Sequence, residues 1–153
     1  MIDCSIAEQF MIDIRSQLAL PEGIYNKTGI LKGKDNFRYL HIARNNSPVW
    51  NLDDCMMKVR VYCNRPTLAT RVEFGFHQDK ANLSEIEKVY LRGVFHQYAK
   101  LHGLEEHRKY EDKEFYNVYK EFEGGPEEVM RQTTAFFEAL LKTAEDFIDS
   151  MQK

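Results

Sequence analysis

Apolar and polar residues alternate most regularly over two neighbouring stretches, CMMKVRVYC (55–63) and LATRVEFGF (68–76). Asn64-Arg65-Pro66-Thr67 between them is a turn sequence. Folded as a hairpin with Cys63 opposite Leu68, Val61 faces Thr70, Val59 faces Val72, Met57 faces Phe74 and Cys55 faces Phe76. One face is then almost wholly apolar, as a half-buried sheet requires. The other face sets Lys58 opposite Glu73 but Arg60 opposite Arg71, and like charges directly opposite are unfavourable. An acidic group is therefore expected over the two arginines, on this chain, on a second copy or on a ligand.

The rest of the pattern supplies helices around that hairpin. Ile6, Phe10, Ile14 and Leu18, with Ala7 and Met11, form one helical face. Ser5-Ile6-Ala7-Glu8 has capping-box form at its start, and Pro21 and Gly23 end it. Residues 24–32 suit a short strand, and FRYLHIAR (37–44) a better one with Leu40 and Ile42 in the core. A loop over 45–54 carries the only tryptophan, Trp50. A second capping box, Ser84-Glu85-Ile86-Glu87, opens a helix with Ile86, Tyr90, Leu91, Val94, Tyr98 and Leu101 as its apolar face and Gly103 as its left-handed cap.

Residues 107–123 fit both helical and alternating spacing. Aromatic enrichment and the Gly124-Gly125 break favour a strand. Pro126 then opens a last helix, with Glu127 and Glu128 placed against its dipole. Its stripe runs Val129, Thr133, Phe136, Phe137, Leu140, Leu141, Ala144, Phe147, Ile148 and Met151. That stripe suits either packing over a sheet or a heptad seam with a second copy, and the sheet's need of a cover favours packing.

The fold expected is α+β, an antiparallel sheet of four to five strands covered on its apolar face by helices, in the order α-β-β-β-β-α-(β)-α. Length fits one domain, residues 1–153. An apolar fraction of 43% and a charged fraction of 29% are ordinary for a globular chain. The net charge of −3 argues against a general nucleic-acid binder. No stretch approaches the ~20 apolar residues of a membrane helix. Acidic Asp3 and Glu8 stand where a signal peptide needs a basic start. Cys55 and Cys63, about 27 Å apart on one strand, cannot bridge. Reduced thiols, Cys4 included, and a cytoplasmic location are the expectation.

Candidate chemistry centres on the hairpin's polar face. Lys58, Arg60, Arg65 and Arg71, with Tyr62 interleaved, suit phosphates and a stacked base, or an acidic peptide. An internal acidic partner is the plainer alternative. A metal-dependent nuclease site needs clustered carboxylates and a lysine. Asp54, Lys58 and Glu73 are the nearest approach to one, but Gly75 stands where the motif's lysine belongs. Glu111-Asp112-Lys113 matches the same triplet without strand context. The histidines lack zinc spacing, and His96 falls on the polar side of its helix. No phosphate-binding glycine loop or nucleophile elbow occurs, so no catalytic residue, metal or cofactor is assigned.

The stretch KVRVYCNRPTLATRVEFGFHQDKANLSEIEKVY, followed by an aromatic segment and a long amphipathic helix, resembles an uncharacterised domain found C-terminal to bacterial nuclease-type proteins. The element order is also similar to small secretion-chaperone-like α/β dimers. The first resemblance implies no catalytic residues. The function expected is non-catalytic binding of a protein partner, or of a second copy, through the basic-aromatic face. The alternative is nucleic-acid binding or a degenerate nuclease-type site.

Overall fold

A computed structural model describes residues 1–18, 20–21, 23–33, 36–47, 50, 55–77, 83–107 and 115–151. Alternation over the hairpin produces β4 (Cys55–Tyr62) and β5 (Leu68–His77) in the expected register, from Cys55 opposite Phe76 to Val61 opposite Thr70. Met57, Val59, Val72 and Phe74 are buried on one side. The FRYLHIAR stretch forms β3 (Phe37–Arg44), antiparallel to β4, with Leu40 and Ile42 fully buried.

Residues 24–32 divide into two edge pieces on β3, β1 (Tyr25–Lys27) and β2 (Leu31–Lys32). The ambiguous aromatic segment is a strand, β7 (Phe115–Gly124), paired along the whole of β5. A short strand absent from the expectation, β6 (Glu105–His107), pairs with β7. All pairings are antiparallel, in the order β1-β3-β4-β5-β7-β6 with β2 also on β3. Among the described residues seven strands thus replace the four to five expected. The extra ones are two or three residues long, too short to leave a periodicity of two.

Helices α1 (Cys4–Gln17), α2 (Glu85–His102) and α3 (Pro126–Met151) pack on the sheet. Asp3, not Ser5, caps α1, accepting from the Ser5 and Ile6 amides. Ala7, Phe10, Met11 and Ile14 are buried as the spacing implies, while Ile6 is half exposed. The capping box at Ser84 and the left-handed Gly103 bound α2 as expected. Its buried face is corrected, however. Leu91, Phe95 and Ala99 go inward, with Phe95 stacked on Phe74 at 4.6 Å, and Ile86, Tyr90 and Leu101 are exposed. A helix that packs along one i, i+4 line leaves apolar residues just outside that line in water.

Val129, Thr133, Phe137, Leu140 and Ala144 of α3 are buried against β5 and β7. Thr133, the polar member of the stripe, shares a hydrogen bond of 2.6 Å with Thr70 of β5. The stripe from Val129 to Ala144 is therefore spent on the sheet. Among the described residues no helix is long and apolar enough to cross a membrane.

The cysteine expectation is overturned. Cys4 and Cys63 form a disulfide, with Cα atoms 4.8 Å apart. Cys55 and Cys63 do not pair, as strand geometry demands. The start of α1 lies beside the end of β4, because Ile2 and Arg65 form a β-bridge there. That contact spans the chain and has no local signal.

Candidate functional site: a cation–aromatic sheet face

Because strand side chains alternate, burying Val59 and Val72 turns Lys58, Arg60, Tyr62, Arg71 and Glu73 to the opposite face. Pairing then sets Tyr39, Arg60, Arg71 and Glu121 in one row across β3, β4, β5 and β7. The next row runs His41, Lys58, Glu73, Tyr119 and Glu105.

The acidic group expected over Arg60 and Arg71 belongs to this chain. Glu73 is 1% exposed, and its carboxylate sits among three cations. Arg60 Nη2 donates to Oε1 at 3.0 Å, Lys58 Nζ lies 3.8 Å from the same oxygen, and Arg71 Nη2 lies 3.7 Å from Oε2. The Asn117 side-chain amide of β7 donates to Oε2 as well. Glu73 is two residues beyond Arg71 on the same strand face, diagonal to Arg60, so it reaches between the two guanidiniums.

Aromatic rings carry the cations' other sides. The Arg60 guanidinium lies 4.2 Å from the Phe37 ring centre, Lys58 Nζ 4.4 Å from Tyr39, Arg65 4.1 Å from Tyr62 and Arg71 3.3 Å from Tyr119. Such contacts gain strength where water is excluded. The Phe37 ring folds back over Gly33, where any Cβ would run into it. The Tyr62 hydroxyl donates to Glu121 at 2.5 Å.

Around Glu73 one carboxylate meets three cations, while Glu121 and Glu105 add negative charge further along the same rows. The Nε–H groups of Arg60 and Arg71 are buried and have no hydrogen-bond partner among the described residues. Arg65 is exposed and makes no ion pair with a described residue. All five residues expected to bind are thus brought together on one face. Of the nuclease constellation, Lys58 does face Glu73, but both Glu73 oxygens are already engaged. Asp54 and residues 111–113 lie outside the described residues. Among the described residues no group of three or more His, Cys, Asp and Glu is arranged to hold a metal ion.

Two polar partners escape the sequence reading, one at this face and one on the helix side of the sheet. Asn117 lies in the segment whose period is ambiguous. His96, expected in water, has Nδ1 2.9 Å from Glu106, whose other oxygen accepts from buried Tyr116 at 2.5 Å. Glu106 belongs to the unforeseen β6.

Crowding leaves a measurable trace on Lys58. Burial, with Arg60 and Arg71 beside it, pulls its ammonium from the ordinary 10.5 down to about 8 against the opposing pull of Glu73. Unfolded, Lys58 holds its proton to the higher value. Between the two the unfolded chain binds more protons, so stability rises with pH across that window and is lost as pH falls through about 8. The expected gain is of the order of 2 kcal/mol. Above pH 10 Tyr62 opposes it, because burial and its bond to Glu121 raise the phenol above its ordinary value. Chemical unfolding from about pH 7 to about pH 10 should show the rise in the native chain and not in Lys58→Met. A flat native profile would contradict the crowding.

No protein-family model, no curated protein and no solved structure matches this chain.

Proposed function

We propose that the chain is a non-catalytic binding module that takes an acidic protein segment on the sheet face opposite its helices. The observation that carries this is the excess of cations over Glu73, with two arginine Nε–H groups buried and unpartnered. A carboxylate-rich segment would balance that charge, meeting exposed Arg65 first. The flanking rings would supply rigid apolar surface of the kind that anchors protein interfaces. Nucleic acid fits less well. Each of Phe37, Tyr39, Tyr62 and Tyr119 has a cation over its ring, and the net charge of −3 supplies no general pull on a phosphate backbone. With α3 packed on the sheet from Val129 to Ala144, that part of its stripe is not open to a second copy. An accessory binding role agrees with the resemblance to a domain attached to nuclease-type proteins. A cytoplasmic location, expected from composition, is in tension with the Cys4–Cys63 bridge, since such bridges persist in oxidising compartments.

The test is fluorescence anisotropy with a labelled hexaglutamate peptide and a single-stranded DNA of similar charge, from about 50 to about 300 mM salt. The peptide is expected to bind saturably, with salt acting mainly on the association rate. The Lys58→Met/Arg65→Ala pair should weaken it about tenfold, one charge-assisted contact's worth. Absence of peptide binding, or tighter binding of the DNA, would overturn the reading.

A further inference from the structure

A cavity of about 310 Å³ opens at the turn end of the hairpin, lined by Asn36, Phe37, Arg60, Tyr62, Asn64 and Arg65, with Cys63 at its wall. We infer that this cavity is a phosphate-monoester site, read by Arg60 and Arg65 and filled by a phosphorylated serine or threonine of the acidic partner. The inference rests on the binding function proposed above and adds the chemical group at its centre.

Three observations carry it. The donors are present and unspent. Arg65 has no ion pair with a described residue, and Arg60 lines the same cavity while giving one Nη–H to Glu73 at 3.0 Å. Both guanidiniums border the Tyr62 ring, at 4.1 Å and 5.9 Å from its centre, so they flank one space. Forked guanidiniums match the several acceptor oxygens of a phosphate.

The space is also held in shape before any ligand arrives. Asn64, in the left-handed region at φ 59°, turns the chain at the pocket's rim. Its amide donates to the Ile2 carbonyl at 2.5 Å, Ile2 donates to the Arg65 carbonyl at 2.8 Å, and the Cys63 amide donates to Asn36 at 2.6 Å. Cys4 fastens Cys63 from the other side. A rim fixed in this way loses little freedom on binding.

The third observation concerns rings. Phe37 and Tyr62 pack edge to face at 6.3 Å, so no ring can insert between them, which favours an aliphatic phosphate ester over a stacked phosphotyrosine or nucleobase.

Titration of the ¹⁵N-labelled chain, followed at its arginine Nε–H resonances, tests this at constant ionic strength. The probes are inorganic phosphate, an acidic peptide carrying one phosphoserine, and the same peptide with glutamate in that place. Phosphate should shift Arg60 and Arg65 saturably. The phosphopeptide should bind about tenfold more tightly than either inorganic phosphate or its glutamate counterpart. Arg65→Ala should cost about tenfold in phosphopeptide affinity, with Arg65→Lys in between because it keeps charge without the fork. Arg65 is exposed, so these variants keep the fold, whereas Arg60 variants disturb Glu73.

A linear, unsaturated phosphate response, equal binding of the glutamate peptide, or unchanged affinity in Arg65→Ala would overturn the site. Phosphate and phosphopeptide binding equally would overturn the partner's share in it. Failure here while hexaglutamate still binds the face would sink the pocket and spare the binding function. Phosphate binding without hexaglutamate binding would do the reverse.

Discussion

Glu73→Gln should cost the fold about 3–5 kcal/mol, the usual consequence of removing one partner from a buried ionic cluster. The side chain keeps its shape, so packing is not the cause. What disappears is the carboxylate that pairs with Lys58, Arg60 and Arg71 among the described residues, each of the three more than four-fifths buried. Their mutual repulsion then acts where water screens poorly. Against a whole-domain stability of about 5–15 kcal/mol, the variant should be marginal and melt roughly 10 °C or more below the native chain. Adding Lys58→Met should restore part of the loss, because the two side chains share one network and their effects do not add. Urea unfolding of the four proteins of that cycle measures the coupling. A loss under about 1 kcal/mol in Glu73→Gln would mean that the cations already reach solvent.

Breaking the Cys4–Cys63 bridge should cost about 4 kcal/mol, since its cysteines are 59 residues apart and loop entropy grows with that length. The bridge joins α1 to the end of β4. Its loss should be felt first where Ile2 and Arg65 pair, and the turn that carries Arg65 should loosen. Unfolded without reductant, the native chain should expose one reactive thiol, Cys55, and after reduction three. Three before reduction would show the bridge unformed. Cys4→Ser/Cys63→Ser, unfolded in urea beside the native chain, measures the stability difference.

What the sequence discloses of this fold is what local periodicity carries. The hairpin register follows from a strict period of two on both arms. The Ser84 and Gly103 boundaries follow from cap chemistry, and the α3 stripe from a period of 3.6. Elements of two or three residues have no period, so the division of the 24–32 strand into β1 and β2, and β6 altogether, stay invisible until their partners are placed. The α2 face is misread because Ile86 and Leu101 are apolar yet lie off the Leu91–Phe95–Ala99 line that touches Phe74. The disulfide depends on the Ile2–Arg65 approach, which no local rule encodes.

At the site, the paired arginines correctly signal a missing anion. The reading stops one step short, weighing directly opposed residues and not the diagonal. Glu73 stands two positions from Arg71 on the same face, which the hairpin register alone is enough to show. Asn117 and Tyr119 are out of reach, because they require the pairing of β5 with β7 across the whole of α2.

Mapping hexaglutamate onto the ¹⁵N-labelled chain tests the central claim most directly. Perturbations are predicted to cluster on the sheet face away from the helices, at Tyr39, Lys58, Arg60, Tyr62, Arg65, Arg71 and Tyr119. Perturbations centred on the exposed Ile86, Tyr90 and Leu101 of α2, or none at saturating peptide, would contradict it.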